Sequence, residues 1–177
     1  FQQGSGAEIA RYNNKIWYTA KAGSSYRIIE LDFDENNLTT SFATQYNTGL
    51  WAHHNQTDFG ALCAINATTL VAHYANINNF DRWIKKIDFS KGTAVVTNLF
   101  NTGGVTNPIC YAKDIVYIPS SNSFIMVGKE LAGYRDSVQQ QFGNMSPFHI
   151  ATLHHDNAFH FDFSGNLLGG SPIDMGQ

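Results

Sequence analysis

Short apolar runs recur along this chain at one fixed distance. Ile16-Trp17-Tyr18, Leu70-Val71-Ala72 and Phe124-Ile125-Met126 follow one another at intervals of 54 residues. Each is preceded by another apolar strand and a polar turn, at Glu8, Leu62 and Val116, again 54 apart. Equal spacing of this kind marks a repeated structural unit. Downstream of each run an aspartate precedes a phenylalanine at the close of a strand, as Asp32-Phe33, Asp88-Phe89 and Asp162-Phe163. Residues that tolerate positive φ or cap their own backbone come next, from Asp34 to Asn37, Ser90 to Gly92 and Ser164 to Asn166. A fourth element then runs to Gly49, to Gly103 and, in the third copy, to Gly176.

Each copy thus predicts four short antiparallel strands, A to D, joined as a meander. Strand B is almost continuously apolar, as expected where neighbouring sheets cover both of its faces. Strand C alternates, with Ile29, Leu31 and Phe33 against Glu30 and Asp32, which places it nearer the rim. No sustained helical period occurs, so the expected class is all-β. The first two Asp-Phe pairs are 56 apart although their flanks keep the 54-residue interval, a small insertion compensated by a shorter turn. In the third copy an insertion of 22 residues separates strands B and C. The units span about 1–49, 50–103 and 104–177, with the insertion near 131–156.

This layout, an apolar strand B and an Asp-Phe-turn between C and D, resembles the four-stranded blades of β-propeller repeat proteins over essentially the whole chain. The signatures that would name a family are missing: there is no Asp-box, no paired-Gly kelch pattern and no Gly-His…Trp-Asp. Lys15-Ile16-Trp17-Tyr18-Thr19-Ala20 is similar to the Tyr-Trp-Thr-Asp propellers, but Ala20 replaces the aspartate and the other copies depart further. The resemblance implies three blades. Propellers close with about four to eight, so completion by a second copy, giving six, or by further chain is expected. With Phe1 first and no signal-peptide pattern, the chain reads as a processed or excised piece of something longer.

A meander places the A–B and C–D turns at one end of each sheet and the B–C and D–A connections at the other. The first end carries tight polar turns. The second collects 49–58, 75–81 and the insertion, and binding function concentrates on long loops held by a rigid scaffold. There, Trp51 with His53, His54 and Asp58 offers an aromatic plane plus hydrogen-bonding groups, which is what a sugar needs. The competing role for Trp51 is a plug between blades. Tyr134, Arg135 and Asp136 in the insertion offer a second polar surface, for a partner or simply for water. His149, His154, His155, Asp156, His160 and Asp162 are the densest group of potential metal ligands. His160 and Asp162 share a strand face, but adjacent His154 and His155 point opposite ways if extended, so the expectation is no metal. Cys63 and Cys110 fall at unrelated repeat positions, which predicts two free, buried thiols.

Composition narrows the function class. At 43% hydrophobic and 14% aromatic the chain can bury a core, while only 14% charged residues, with Asn, Thr, Ser and Gln filling the polar positions, suits an extracellular or virion-surface protein. A net charge of −3 without a basic run argues against a nucleic-acid groove, and no apolar stretch reaches the length of a membrane span. No cofactor motif occurs. The leading expectation is a non-catalytic recognition module of adhesin, lectin or viral receptor-binding type, engaging a glycan or protein through the long-loop face. The alternatives are a glycosidase-type propeller fragment, with Asp58, Glu130, Asp136 and Asp156 as candidate acids, and a structural assembly component.

Overall fold

A computed structural model describes residues 8–53, 57–76, 81–102, 109–130, 156–169 and 173–174. Among these residues twelve strands form three antiparallel four-stranded sheets, each in chain order. Sheet 1 holds β1 (Ile9–Tyr12), β2 (Lys15–Ala22), β3 (Ser25–Asp34) and β4 (Thr39–Trp51). Sheet 2 holds β5 (Thr57–Asn66), β6 (Thr69–Asn76), β7 (Asp81–Asp88) and β8 (Val95–Asn101). Sheet 3 holds β9 (Ile109–Ile118), β10 (Ser123–Glu130), β11 (Asp156–Asp162) and β12 (Ile173–Asp174). Residues 131–155 connect β10 to β11.

The 54-residue interval reappears in the backbone, since β2, β6 and β10 begin at Lys15, Thr69 and Ser123. These first residues pair with Asp32, Asp88 and Asp162, so the three Asp-Phe pairs are structural equivalents. The two-residue shift between the first two copies lies in the B–C connection: Ala22 pairs with Ser25 across a two-residue turn, whereas Asn76 pairs with Asp81.

Neighbouring sheets pack through their first strands, with β5 against β1 on one side and β9 on the other. One core joins sheets 1 and 2 through Trp17, Tyr26, Ile28, Phe59, Leu70 and Ile87; a second joins sheets 2 and 3 through Val71, Ile84, Phe124, Met126, Phe159 and Phe161. Complete burial of one such side chain contributes about 1.5–3 kcal/mol. Position decides which strands match the two-faced burial expected from their apolar sequences. Strand β6, in the middle sheet, is buried at every residue from Thr69 to Ala75. In β2 and β10 one face is covered by sheet 2, leaving Ile125 on the other face of β10 exposed.

The C–D turns form as their chemistry dictates. Asp88 accepts the Ser90 amide, and Asp162 accepts the amides of Ser164 and Asn166 while Asn166 Nδ2 donates to its second oxygen. In sheet 1 the capping role moves to Asp34, which accepts from Asn36 and Asn37, and Asp32 pairs with Lys15. Gly165 is required twice over. Its φ is +85°, and a Cβ there would lie 2.6 Å from the Phe100 ring, so the last turn docks directly on β8.

Candidate functional site

Strand β4, the longest among the described residues, ends on Trp51, which pairs with Ser25 at the B–C and D–A end of sheet 1. The backbone there is held by groups from two sheets. Ala52 N–H donates to Ser24 O, and the Tyr74 hydroxyl of β6 donates to Trp51 O at 2.9 Å. His53 O accepts the Thr57 amide, and His53 N–H donates to Thr57 Oγ1 at 2.7 Å, closing the short connection into β5. Beneath lie Tyr26, Phe59 and Tyr74, packed edge to face at centroid distances of 5.2–6.3 Å. Tyr26 OH donates to Thr57 O at 2.9 Å. Two phenols that would be costly to bury without partners thus bond to the loop backbone and set its position.

On this base the Trp51 indole is 40% exposed and stacks on the His53 imidazole, 5.2 Å between centroids at 30°. An exposure of 40% is inconsistent with a fully enclosed plug between sheets. Asp58 is placed by its backbone, opposite Ala75. His54, Tyr134, Arg135, Asp136, His149, His154 and His155 lie outside the described residues. Of the sequence-derived candidates, Trp51 and His53 are therefore the pair shown in contact.

His160 and Asp162 sit on β11, in another sheet. His160 Nε2 is 2.8 Å from Ser123 Oγ, and Asp162 caps its own turn. The Asn166 side-chain amide, followed by backbone amides, holds the Asp162 carboxyl below its usual range. Among the described residues no group of three His, Cys, Asp or Glu side chains is arranged to hold a metal. Cys63 is a free, buried thiol at the β5–β9 seam, pushed up to about 12 chiefly by burial. The backbone of Cys110 is described and its side chain is not. Among the described residues no helix is long and apolar enough to cross a membrane.

Several polar groups that support the seams were not singled out by sequence patterns. Glu30, 6% exposed, accepts from Trp17 Nε1 at 3.0 Å and Tyr46 OH at 3.2 Å and pairs with Lys15. In the sequence Glu30 stands on the polar side of the alternation in strand C, and the structure buries it there. His73, fully buried between sheets 2 and 3, has Nε2 3.3 Å from Thr102 Oγ1. Tyr26 and Tyr74 carry no signal beyond being tyrosines near strand ends.

No protein-family model matches the sequence, and no curated protein matches it. Among solved structures, the fold is similar to that of the periplasmic gluconolactonase of Pseudomonas aeruginosa, with a TM-score of 0.50 at 8% sequence identity. The similarity covers 97% of this chain and 58% of that one, so this chain spans little more than half of the other's length. At that identity the likeness bears on architecture alone. Together with the three packed meanders it supports a β-propeller-like, all-β fold.

Proposed function

We propose that the chain is part of an extracellular, propeller-type recognition module that binds a glycan through its long-loop face, with Trp51 and His53 as the platform. The observation that carries this reading is an exposed indole stacked on an imidazole and seated on backbone that Tyr74, Thr57 and Ser24 hold in place. A sugar ring presents an apolar face that covers an aromatic plane, and its hydroxyls take hydrogen bonds from groups beside that plane. Pre-positioning the platform lowers the ordering cost of binding. Asp58, His54, Tyr134, Arg135 and Asp136 extend the same face in this proposal, as the source of hydroxyl-directed contacts. The sparse charge of the chain suits an extracellular compartment.

A glycan array followed by titration of the best ligand tests the reading. Trp51→Ala should weaken binding about tenfold or more, about 1.4 kcal/mol. Replacing the half-buried Trp83 with Phe should leave affinity unchanged. Affinity that survives Trp51→Ala removes the platform from the site, and turnover of a sugar lactone or glycoside by the wild type would replace recognition with catalysis.

A further inference from the structure

Equivalent positions in the three sheets differ sharply in exposure, and the difference follows the order of the sheets. Ile9, Leu62 and Ile115 lie opposite Tyr18, Ala72 and Met126, which are 54 residues apart. Leu62 and Ile115 are 4% and 2% exposed, covered by the preceding sheet, whereas Ile9 is 64% exposed. On the other face, Ala10, Cys63 and Val116 lie opposite Trp17, Val71 and Ile125. Ala10 and Cys63 are 6% and 8% exposed, covered by the following sheet, whereas Val116 is 54% exposed.

The chain therefore builds one kind of seam twice and carries an unjoined half of it at each end. The outer face of sheet 1 has two apolar rows across its strands, Ile9-Tyr18-Ile29 and Ile16-Leu31-Phe42. The outer face of sheet 3 presents Val116 beside Ile125, with Val127 next along β10. Each face has the register of a surface that is packed elsewhere in the same molecule.

We propose that two copies of this chain associate head to tail, the outer face of sheet 3 in one covering the outer face of sheet 1 in the other, twice over. A second copy fits as the occupant, because it supplies both missing halves in the geometry the chain already uses between its own sheets. Two copies bring together six sheets, within the range of about four to eight in which propellers close. A contact between unlike faces gives a closed ring when its rotation closes and an open filament when it does not. Closure also removes the end faces that would otherwise remain as sticky apolar surface.

Sedimentation equilibrium on the wild-type chain at tens of micromolar should give twice the chain mass. Val116→Lys and Ile9→Lys change residues already more than half exposed, so both should keep the wild-type far-ultraviolet circular dichroism. Each variant alone should fall to the mass of one chain, since every seam then contains one altered face. An equimolar mixture should recover part of the two-chain species, because the intact sheet 3 face of Ile9→Lys can meet the intact sheet 1 face of Val116→Lys while the other seam carries both lysines. A one-chain mass for the wild type overturns the proposal. Loss of association in one variant alone, or no recovery on mixing, overturns the head-to-tail contact, and growth into larger species overturns closure.

Discussion

The two seams inside the chain are built on one repeat and hold together by different chemistry. Between sheets 1 and 2 a buried carboxylate organises the contact: Glu30 accepts from Trp17 and Tyr46 and pairs with Lys15, while Tyr46 stacks on Phe89 at 4.2 Å. Between sheets 2 and 3 the contact is mostly aromatic, with Phe100, Phe124, Phe161 and Phe163 meeting at centroid distances of 4.5–5.8 Å. Its buried imidazole, His73, is neutral: burial first, then the charge of Arg82, pulls its pKa down to about 3. The His73 Nδ1 is buried without a hydrogen-bond partner among the described residues. A repeat thus constrains shape and register, while the group that fills each equivalent position is free to differ. The consequence is opposite pH sensitivity in two seams of similar form.

Substitutions of the seam-filling aromatics should have the largest effect. Phe124→Ala should cost about 3–5 kcal/mol, read as a shift in the urea midpoint. Trp17→Ala should cost at least as much, because it also removes a hydrogen bond to Glu30. Should Trp17→Ala prove clearly the milder of the two, the polar network of the first seam contributes little beyond packing.

Acid sensitivity comes next and belongs to the second seam. His73 in the folded chain binds its proton only near pH 3, whereas the unfolded chain binds it near the ordinary value of 6.5. Stability is therefore fully present above about 6.5 and is lost as pH falls toward 3, by roughly 3 kcal/mol at pH 4.5. Urea titrations between pH 7 and 4.5 should show this slope, and His73→Leu should flatten it. An unchanged slope in that variant would remove His73 from the account.

Neutralising the first seam should have a smaller effect. Glu30→Gln keeps the shape and a hydrogen-bond acceptor for Trp17 but loses the charge facing Lys15, at a cost of about 1 kcal/mol near neutral pH. The hydrogen bond from Lys15 to Glu30 raises the lysine pKa, and burial, reinforced by the charge of Glu30, raises that of Tyr46. Both groups hold protons more tightly in the folded chain. Their contribution is present below about pH 10 and is lost as pH rises through the raised values, so the wild type should lose more stability than Glu30→Gln on going from pH 9 to 11.

The smallest effect is expected at the turns, which both seams share. Asp162→Ala should lower the thermal midpoint less than any substitution above while speeding hydrogen exchange at the amides of Ser164 and Asn166, whose bonds to the carboxylate it removes. Exchange that stays slow would mean that Gly165, seated against Phe100, holds the turn without the aspartate.

Much of the local structure was legible in the residues. The 54-residue interval of the apolar runs became the interval of β2, β6 and β10, and the Asp-Phe pairs became equivalent strand ends, because side-chain alternation and turn chemistry act over a few neighbouring residues. Less could be read of how the sheets meet. Apolar strand B residues suggested two covered faces in every copy, yet Ile125 is exposed where Val71 is buried, since coverage depends on a neighbouring sheet and not on the strand. At the candidate site the sequence offered Trp51, His53, His54 and Asp58 together. The Trp51–His53 stack joins residues only two apart, but the tyrosines of two sheets that hold its backbone make long-range contacts that no spacing announces.

By itself, then, the sequence determined the class, the phase of strands B and C, the placement of turns and the end of the sheets where long connections collect. All of these follow from the period-two alternation of strands and the backbone preferences of Asp, Asn and Gly. The first strands, by contrast, match at Ile9, Leu62 and Ile115 and not at the 54-residue positions Glu8, Leu62 and Val116. Only the tertiary structure decided which faces are covered, that Glu30 and His73 are buried and in what protonation surroundings, and that a tyrosine of β6 holds the backbone of Trp51. Those properties arise where separate sheets come within van der Waals and hydrogen-bond range. Such proximity belongs to the packed molecule, because residues far apart along the chain meet only when the sheets do.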